Sequence, residues 1–207
     1  GGADSTALAL ILSLLAPRLD LRLSALSVNH GLRPEAQVDA AHAHTVCQAL
    51  GMPCTLRTSN VKDFAASRHM GEEEAGRAVR YALLEEERKA RNAHFIALGH
   101  HRQDLSEDIV LRLVRGAGWP SLGGMPARDD ARCLLRPLLT CAPDDLRQLL
   151  RHCGLGWRED ASSQSLDYRR NRLRLQALPL LRAENPALDR TLGHMWQLAN
   201  LDRAYWG

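Results

Sequence analysis

The chain has 207 residues, 45% of them hydrophobic and 25% charged, a composition that excludes a disordered polypeptide and supports a buried core. Its early uncharged run, Ser5 to Pro17, falls short of the roughly 18–20 apolar residues that cross a bilayer, and no basic flank precedes it as in a secretory leader. The five cysteines, Cys47, Cys54, Cys133, Cys141 and Cys153, are odd in number and form no C-x-x-C pair. That pattern argues against a disulfide framework, a zinc ribbon or a cluster motif and for a reducing cytoplasm. Net charge is +3, but five arginines and no acid lie between Arg169 and Arg182, so the excess is local. Such a cluster is either a solvated helix face or a nucleic-acid contact.

In chain order, Asp4 to Leu15 is dense enough in apolar residues for a helix buried on most sides, with Pro17 beyond its end. Leu21 to Val28 reads as a strand, broken by Asn29, His30, Gly31 and Pro34, and Val38 to Leu50 has helical spacing closed by Gly51 and Pro53. Cys54 to Thr58 is a short strand. Glu72 to Arg91 is a long charged helix with Ala75, Val79, Leu83 and Leu84 inward, and His94 to Leu98 a compact strand after it. Asp104 to Arg115 forms the next helix, ended by Gly116 and Gly118. Cys133 to Leu139 is a further strand and Pro143 to His152 a short helix. Two helical stretches close the chain, with Pro179 and the Asn185 and Pro186 pair marking a boundary.

Strands separated by helices of this length imply βαβ units. The expected class is α/β, a mostly parallel sheet with helices on both faces and a helical C-terminal segment. Residues 1–182 are expected to form one domain whose first strand is missing from these residues. Residues 183–207 would be a helical linker or the start of a truncated second domain. Ligands of such sheets lie beyond the carboxyl ends of the strands, where Gly1 to Ser5, Asn29 to Arg33 and His100 to Glu107 fall.

Gly1, Gly2, Asp4, Ser5 and Thr6 open a helix, where unpaired N–H groups and the helix dipole favour an anion. Asp4 beside an anion would repel it unless a divalent metal lay between, which points to a Mg²⁺-chelated nucleotide phosphate. Simple capping by Asp and Ser is the plainer alternative. Asp104, Glu107 and Asp108 share one helix face through their spacing, which a helix start also welcomes without any function.

G-G-x-D-S-T resembles the tail of the phosphate loop of the N-type ATP pyrophosphatases, the PP-loop family. V-N-H-G-L-R-P (Val28 to Pro34), E-A-G-R-A-V-R-Y (Glu74 to Tyr81), L-G-H-H (Leu98 to His101), L-R-L-V-R-G-A-G (Leu111 to Gly118), L-G-G-M (Leu122 to Met125), W-R-E-D-A-S (Trp157 to Ser162) and Y-R-R-N-R-L-R (Tyr168 to Arg174) are similar, in order and spacing, to the catalytic domain of the tRNA(Ile)-lysidine synthetases, from Gly1 to about Leu181. The resemblance implies an ATP-dependent, Mg²⁺-requiring ligase. It would adenylate the C2 oxygen of the wobble cytidine in a tRNA(Ile) with a CAU anticodon and join free lysine to C2, releasing AMP and pyrophosphate.

By position, the resemblance implies that Gly1, Gly2, Asp4, Ser5 and Thr6 hold pyrophosphate, with Asp4 at the metal, and that Asn29, His30 and Gly31 border the adenosine. His100 and His101 would border the reacting phosphate, though a hydrogen-bonded turn is the plainer alternative. Asp104 and Glu107 match family acids suited to a lysine ammonium, while Arg170, Asn171, Arg172 and Arg174 match a run suited to tRNA phosphate or the activated base, Arg172 among the catalytic residues. Arg77 and Arg80 match too, and on a long helix could equally be packing residues. The chain departs from the family at Arg102, at Gln103 where an acid is usual, and at Ser163 and Ser165 where an amide and an acid are usual. Those departures keep two alternatives open: another PP-loop tRNA-modifying enzyme, thiolase or amide-forming, and a nucleotide- or RNA-binding module without turnover. No membrane contact is expected, and a homodimer is compatible with the sequence.

Overall fold

Helix formation begins almost at the first residue. Gly2, extended at φ −73° and ψ 163°, caps α1 (Ala3–Leu19), which carries Asp4 in its first turn and Arg18 in its last, both matched to the helix dipole. Pro17 lies inside α1 rather than beyond it. In the final turn a proline removes a single hydrogen bond, and the helix closes by left-handed Asp20, with Leu21 N–H also donating to the Ala16 carbonyl at 3.0 Å. The computed structural model describes residues 2–29, 36–158, 166 and 169–206. By its packing the chain divides into two units, residues 1–97 with 147–159 and residues 98–146 with 160–207.

In the first unit β1 (Ala25–Asn29) pairs in parallel with β2 (Cys54–Thr58), from Ala25 opposite Cys54 to Asn29 opposite Thr58. The crossover is α2 (Ala36–Ala49), which packs on β1 and buries Val46 and Cys47. This is the βαβ unit that the alternation of elements implies. A helix the hydrophobic pattern does not announce, α3 (Val61–Arg68), is capped by Asn60, whose side chain accepts from Asp63 N–H at 3.3 Å. It folds onto α4 (Glu72–Ala90) around Val61, Ala65 and Ala75, with Phe64 and Met70 packed alongside. The charged side of α4 is laced by Glu85–Arg88 at 2.7 Å and Glu87–Arg91 at 2.6 Å. Thr55 Oγ1 donates to Glu87 at 2.6 Å, tying α4 to β2. The chain then passes through β3 (Ile96–Ala97).

The second unit is built on α5 (Arg102–Val114). The strand expected over Cys133 to Leu139 shrinks to β5 (Leu134–Leu135), antiparallel to β4 (Arg128–Asp129). Cys133 has φ +51°, and Leu139 N–H turns back to the Arg136 carbonyl, so both ends of the run leave extended geometry. Next in the chain come α6 (Pro143–His152), most of it in the first unit, and then, in the second, α7 (Arg169–Arg172), a π-helical turn over Leu173–Ala177, α8 (Leu178–Glu184) and α9 (Leu188–Trp206). Helix α9 packs on α5 and on the 3₁₀ turn Ser121–Gly123. Leu105, Ile109 and Leu139 form the core there, surrounded by Met125, Ala127, Leu192, Met195 and Trp196. A Cβ on Gly123 would stand 2.1 Å from the Ala199 Cβ, and Gly124, at φ +92°, lies against Ile109 and Leu105. The L-G-G-M segment is thus a seat for α9 and α5. Among the described residues no helix is long and apolar enough to cross a membrane.

Candidate active site

In the first unit the α1 start is open. No side chain caps Gly2, a Cβ there would meet nothing within 4 Å, and Ser5 Oγ donates to the Gly2 carbonyl at 3.0 Å. The first-turn N–H groups precede any intrahelical acceptor, so exposed Gly2, half-buried Asp4 and exposed Ser5 offer backbone donors, a carboxylate and a hydroxyl at one helix end, with Thr6 buried behind them. That donor set fits a phosphate carrying a divalent cation. Asn29 ends β1 at its carboxyl end, its carbonyl accepting from Ser59 N–H at 2.9 Å. Gly1, His30 and Gly31 lie outside the described residues. Arg77 and Arg80 stand on the exposed side of α4. The Arg77 guanidinium sits 5.0 Å over the Tyr81 ring and donates to its hydroxyl at 3.3 Å.

In the second unit the sequence motifs meet in one place. His101 caps α5: its Nδ1 accepts from Gln103 N–H at 3.2 Å, while Asp104 Oδ2 accepts from His101 N–H at 2.9 Å. Half-buried His100 immediately precedes it. One turn on, Glu107 is 2% exposed. A single guanidinium serves both acids: Arg170 Nη2 reaches Asp104 Oδ1 at 2.5 Å and Arg170 Nε reaches Glu107 Oε2 at 2.6 Å. Arg174 stands 3.7 Å from the other Glu107 oxygen and donates to Asn171 Oδ1 at 2.6 Å. Burial opposes the charge on Arg170, yet Asp104, Glu107 and Asp108 outweigh it and hold its pKa above the ordinary value. Exposed Arg172 instead donates to the Leu166 carbonyl at 2.8 Å.

Asp108, grouped with the other acids by spacing, is claimed by Arg112 at 2.8 Å. A second network lies beneath the site. Ser106, 1% exposed, donates to Asp189 at 2.7 Å, and Arg182 forks onto the same carboxylate at 3.0 Å through both Nε and Nη2. Burial alone would raise the Asp189 carboxyl, but Arg182, Ser106 and the Arg102 charge hold it below its usual range. Sequence reasoning missed this network; the one available signal was an arginine and an aspartate flanking the Asn185–Pro186 break. The Cys47 thiol is pushed up to about 11 by burial, and then by its neighbour Cys54, which makes it a poor nucleophile at neutral pH.

A family model described as the PP-loop domain matches residues 1–181. Curated relatives named tRNA(Ile)-lysidine synthase include one from Nitratidesulfovibrio vulgaris, 50% identical over 206 residues, covering 100% of this chain and 59% of that protein. One from Solibacter usitatus is 36% identical over 208 residues, covering 100% of this chain and 45% of that protein. The chain thus spans about half the length of the curated relatives it matches. A similar solved structure, the U34-tRNA thiolase NcsA from Methanococcus maripaludis with its [4Fe-4S] cluster, has a TM-score of 0.75 at 17% identity. It covers 95% of this chain and 68% of that one.

Proposed function

The chain belongs to the PP-loop domain family, and on that premise we propose that it is the catalytic part of an ATP-dependent ligase that joins lysine to the wobble cytidine of a tRNA(Ile) with a CAU anticodon. The observation that carries this reading is the Asp104 and Glu107 pair, whose oxygens are spaced to grip one organic cation, as Arg170 demonstrates by lying on both. A lysine side chain is such a cation, and it must lose a proton before it can attack. The curated lysidine synthase relatives support the reading as well.

In this scheme the C2 oxygen of cytidine attacks the α-phosphorus of ATP and pyrophosphate leaves. Gly2, Asp4, Ser5 and Thr6, with Gly1 before them, hold the departing phosphates. Magnesium bound beside Asp4 would supply screening of the phosphate charge. Asn29, with His30 and Gly31 after it, borders the adenosine, and His100 and His101 border the reacting phosphate. Asp104 and Glu107 receive the ammonium and take its proton. The freed amine bonds to C2, the C2–O bond breaks, and AMP departs. Arg170, Asn171, Arg172 and Arg174 face tRNA phosphate or the activated base, with Arg77 and Arg80 as further contacts. Residues 1–182 carry these groups, and residues 183–207 steady α5 through Asp189. The described cysteines are all free thiols. A thiolase is not favoured, because the curated relatives that match the chain are named lysidine synthases.

The test mixes the chain with ATP, Mg²⁺, labelled lysine and tRNA(Ile) bearing CAU. Label is expected on the tRNA in step with pyrophosphate release. Asp4→Asn should slow pyrophosphate release about 100-fold or more, the scale on which losing metal-assisted charge stabilisation acts. Pyrophosphate without label would assign a different nucleophile, and intact ATP a binding module.

A further inference from the structure

Resting on that reading, we propose that Arg170 is an exchangeable latch: in the free protein it fills the amine site, and the phosphate backbone of tRNA draws it off, so that RNA binding opens the site to lysine. All four carboxylate oxygens are already engaged. Asp104 Oδ2 takes the His101 N–H at 2.9 Å and Oδ1 takes Arg170, while Glu107 Oε2 takes Arg170 and Oε1 faces Arg174 at 3.7 Å. An ammonium entering this arrangement meets a guanidinium of like charge in its place. One of those partners must yield. The His101 N–H is fixed by the α5 cap, and Arg174 is tethered to Asn171 at 2.6 Å. Arg170 is the partner whose departure clears an oxygen on each acid at once.

The place Arg170 would go is set by the same chemistry. A planar guanidinium fork fits phosphate as well as carboxylate, and Arg170 lies among Arg169, Arg172 and Arg174 with no acid between Arg169 and Arg182. Approaching RNA would concentrate phosphate there. When Arg170 leaves, Arg174 remains beside Glu107 as counter-charge, so the buried carboxylate is never alone before the amine arrives. By linkage, the factor by which tRNA tightens lysine binding equals the factor by which lysine tightens tRNA binding.

Calorimetric titration of lysine into the full chain, with and without saturating tRNA(Ile) bearing CAU, reads this coupling. For the native chain tRNA should tighten lysine binding about tenfold or more, within the usual span of coupling between sites. For Arg170→Gln, lysine should bind without tRNA about as tightly as the native chain binds it with tRNA, and the tRNA effect should vanish. Arg170→Lys, which keeps the charge but loses the two-pronged grip, should fall between, and it serves if Arg170→Gln does not fold. Lysine binding that is indifferent to tRNA in the native chain, or no tighter in either variant without tRNA, would overturn the latch and leave the ligase reading standing. No lysine binding under any condition would overturn both.

Discussion

Glu107 constrains its surroundings, because a carboxylate 2% exposed must keep a cation near it. The sequence exposes the acids, since Asp104 and Glu107 follow a strand at i, i+3 spacing. It hides their partner, because Arg170 is more than sixty residues away and only the fold brings it in. The grouping of Asp108 with them failed for a local reason, as Arg112 one turn on is the nearer cation. Asp189 was illegible in the same way, and it supports a test with a definite sign. Its pKa is depressed in the folded state, so the stability it adds is present above the unfolded value of about 3.9 and is lost as pH falls through the folded value. Asp189→Asn should cost about 1–2 kcal/mol at pH 7, and the gap to the native chain should close below about pH 4. Denaturant melts of both proteins from pH 7 to 3 measure it; parallel curves would remove Asp189 from the account.

Elements with strong patterns were legible and those set by turns were not. Pro143–His152 and Cys54–Thr58 form as their sequences suggest, because cap residues and alternation act within a few positions. Helix α3 went unannounced, its short apolar set of Val61, Phe64 and Ala65 finding meaning only against Ala75 of α4. The strand around Leu134 is short because Cys133 sits in the left-handed region, a backbone state that hydropathy does not report. The paired glycines of L-G-G-M carry no role in the sequence beyond the family resemblance, whereas in the structure they are contact points. Gly123→Ala would press a methyl into Ala199, and overpacking of this kind costs about 1–3 kcal/mol. Gly118→Ala, with nothing within 4 Å of its Cβ position, is the control and should change stability by less than about 0.5 kcal/mol. Thermal denaturation of the two variants decides whether the α9 seat is as tight as described; equal melting points would show that it is not.

For the whole molecule, charge limits how this chain can hold RNA. A net charge of +3 spread evenly would bind polyanions weakly, but the excess is concentrated between Arg169 and Arg182. Within that stretch Arg182 is committed to Asp189 through two contacts and Arg174 stays beside Glu107, which leaves Arg169, Arg170 and Arg172 to meet phosphate. Each phosphate neutralised lowers the slope of log K against log salt by roughly 0.7 to 0.9, so these three arginines give a slope of about −2.5. Filter binding of tRNA to the chain between 50 and 200 mM salt should return that value, and Arg169→Gln should make it shallower by about one phosphate contact. A slope much steeper than about −5 would demand basic contacts outside this stretch. A slope near zero would mean that the arginines stay with their internal carboxylate and carbonyl partners in the presence of RNA, and the basic run would then be a structural brace.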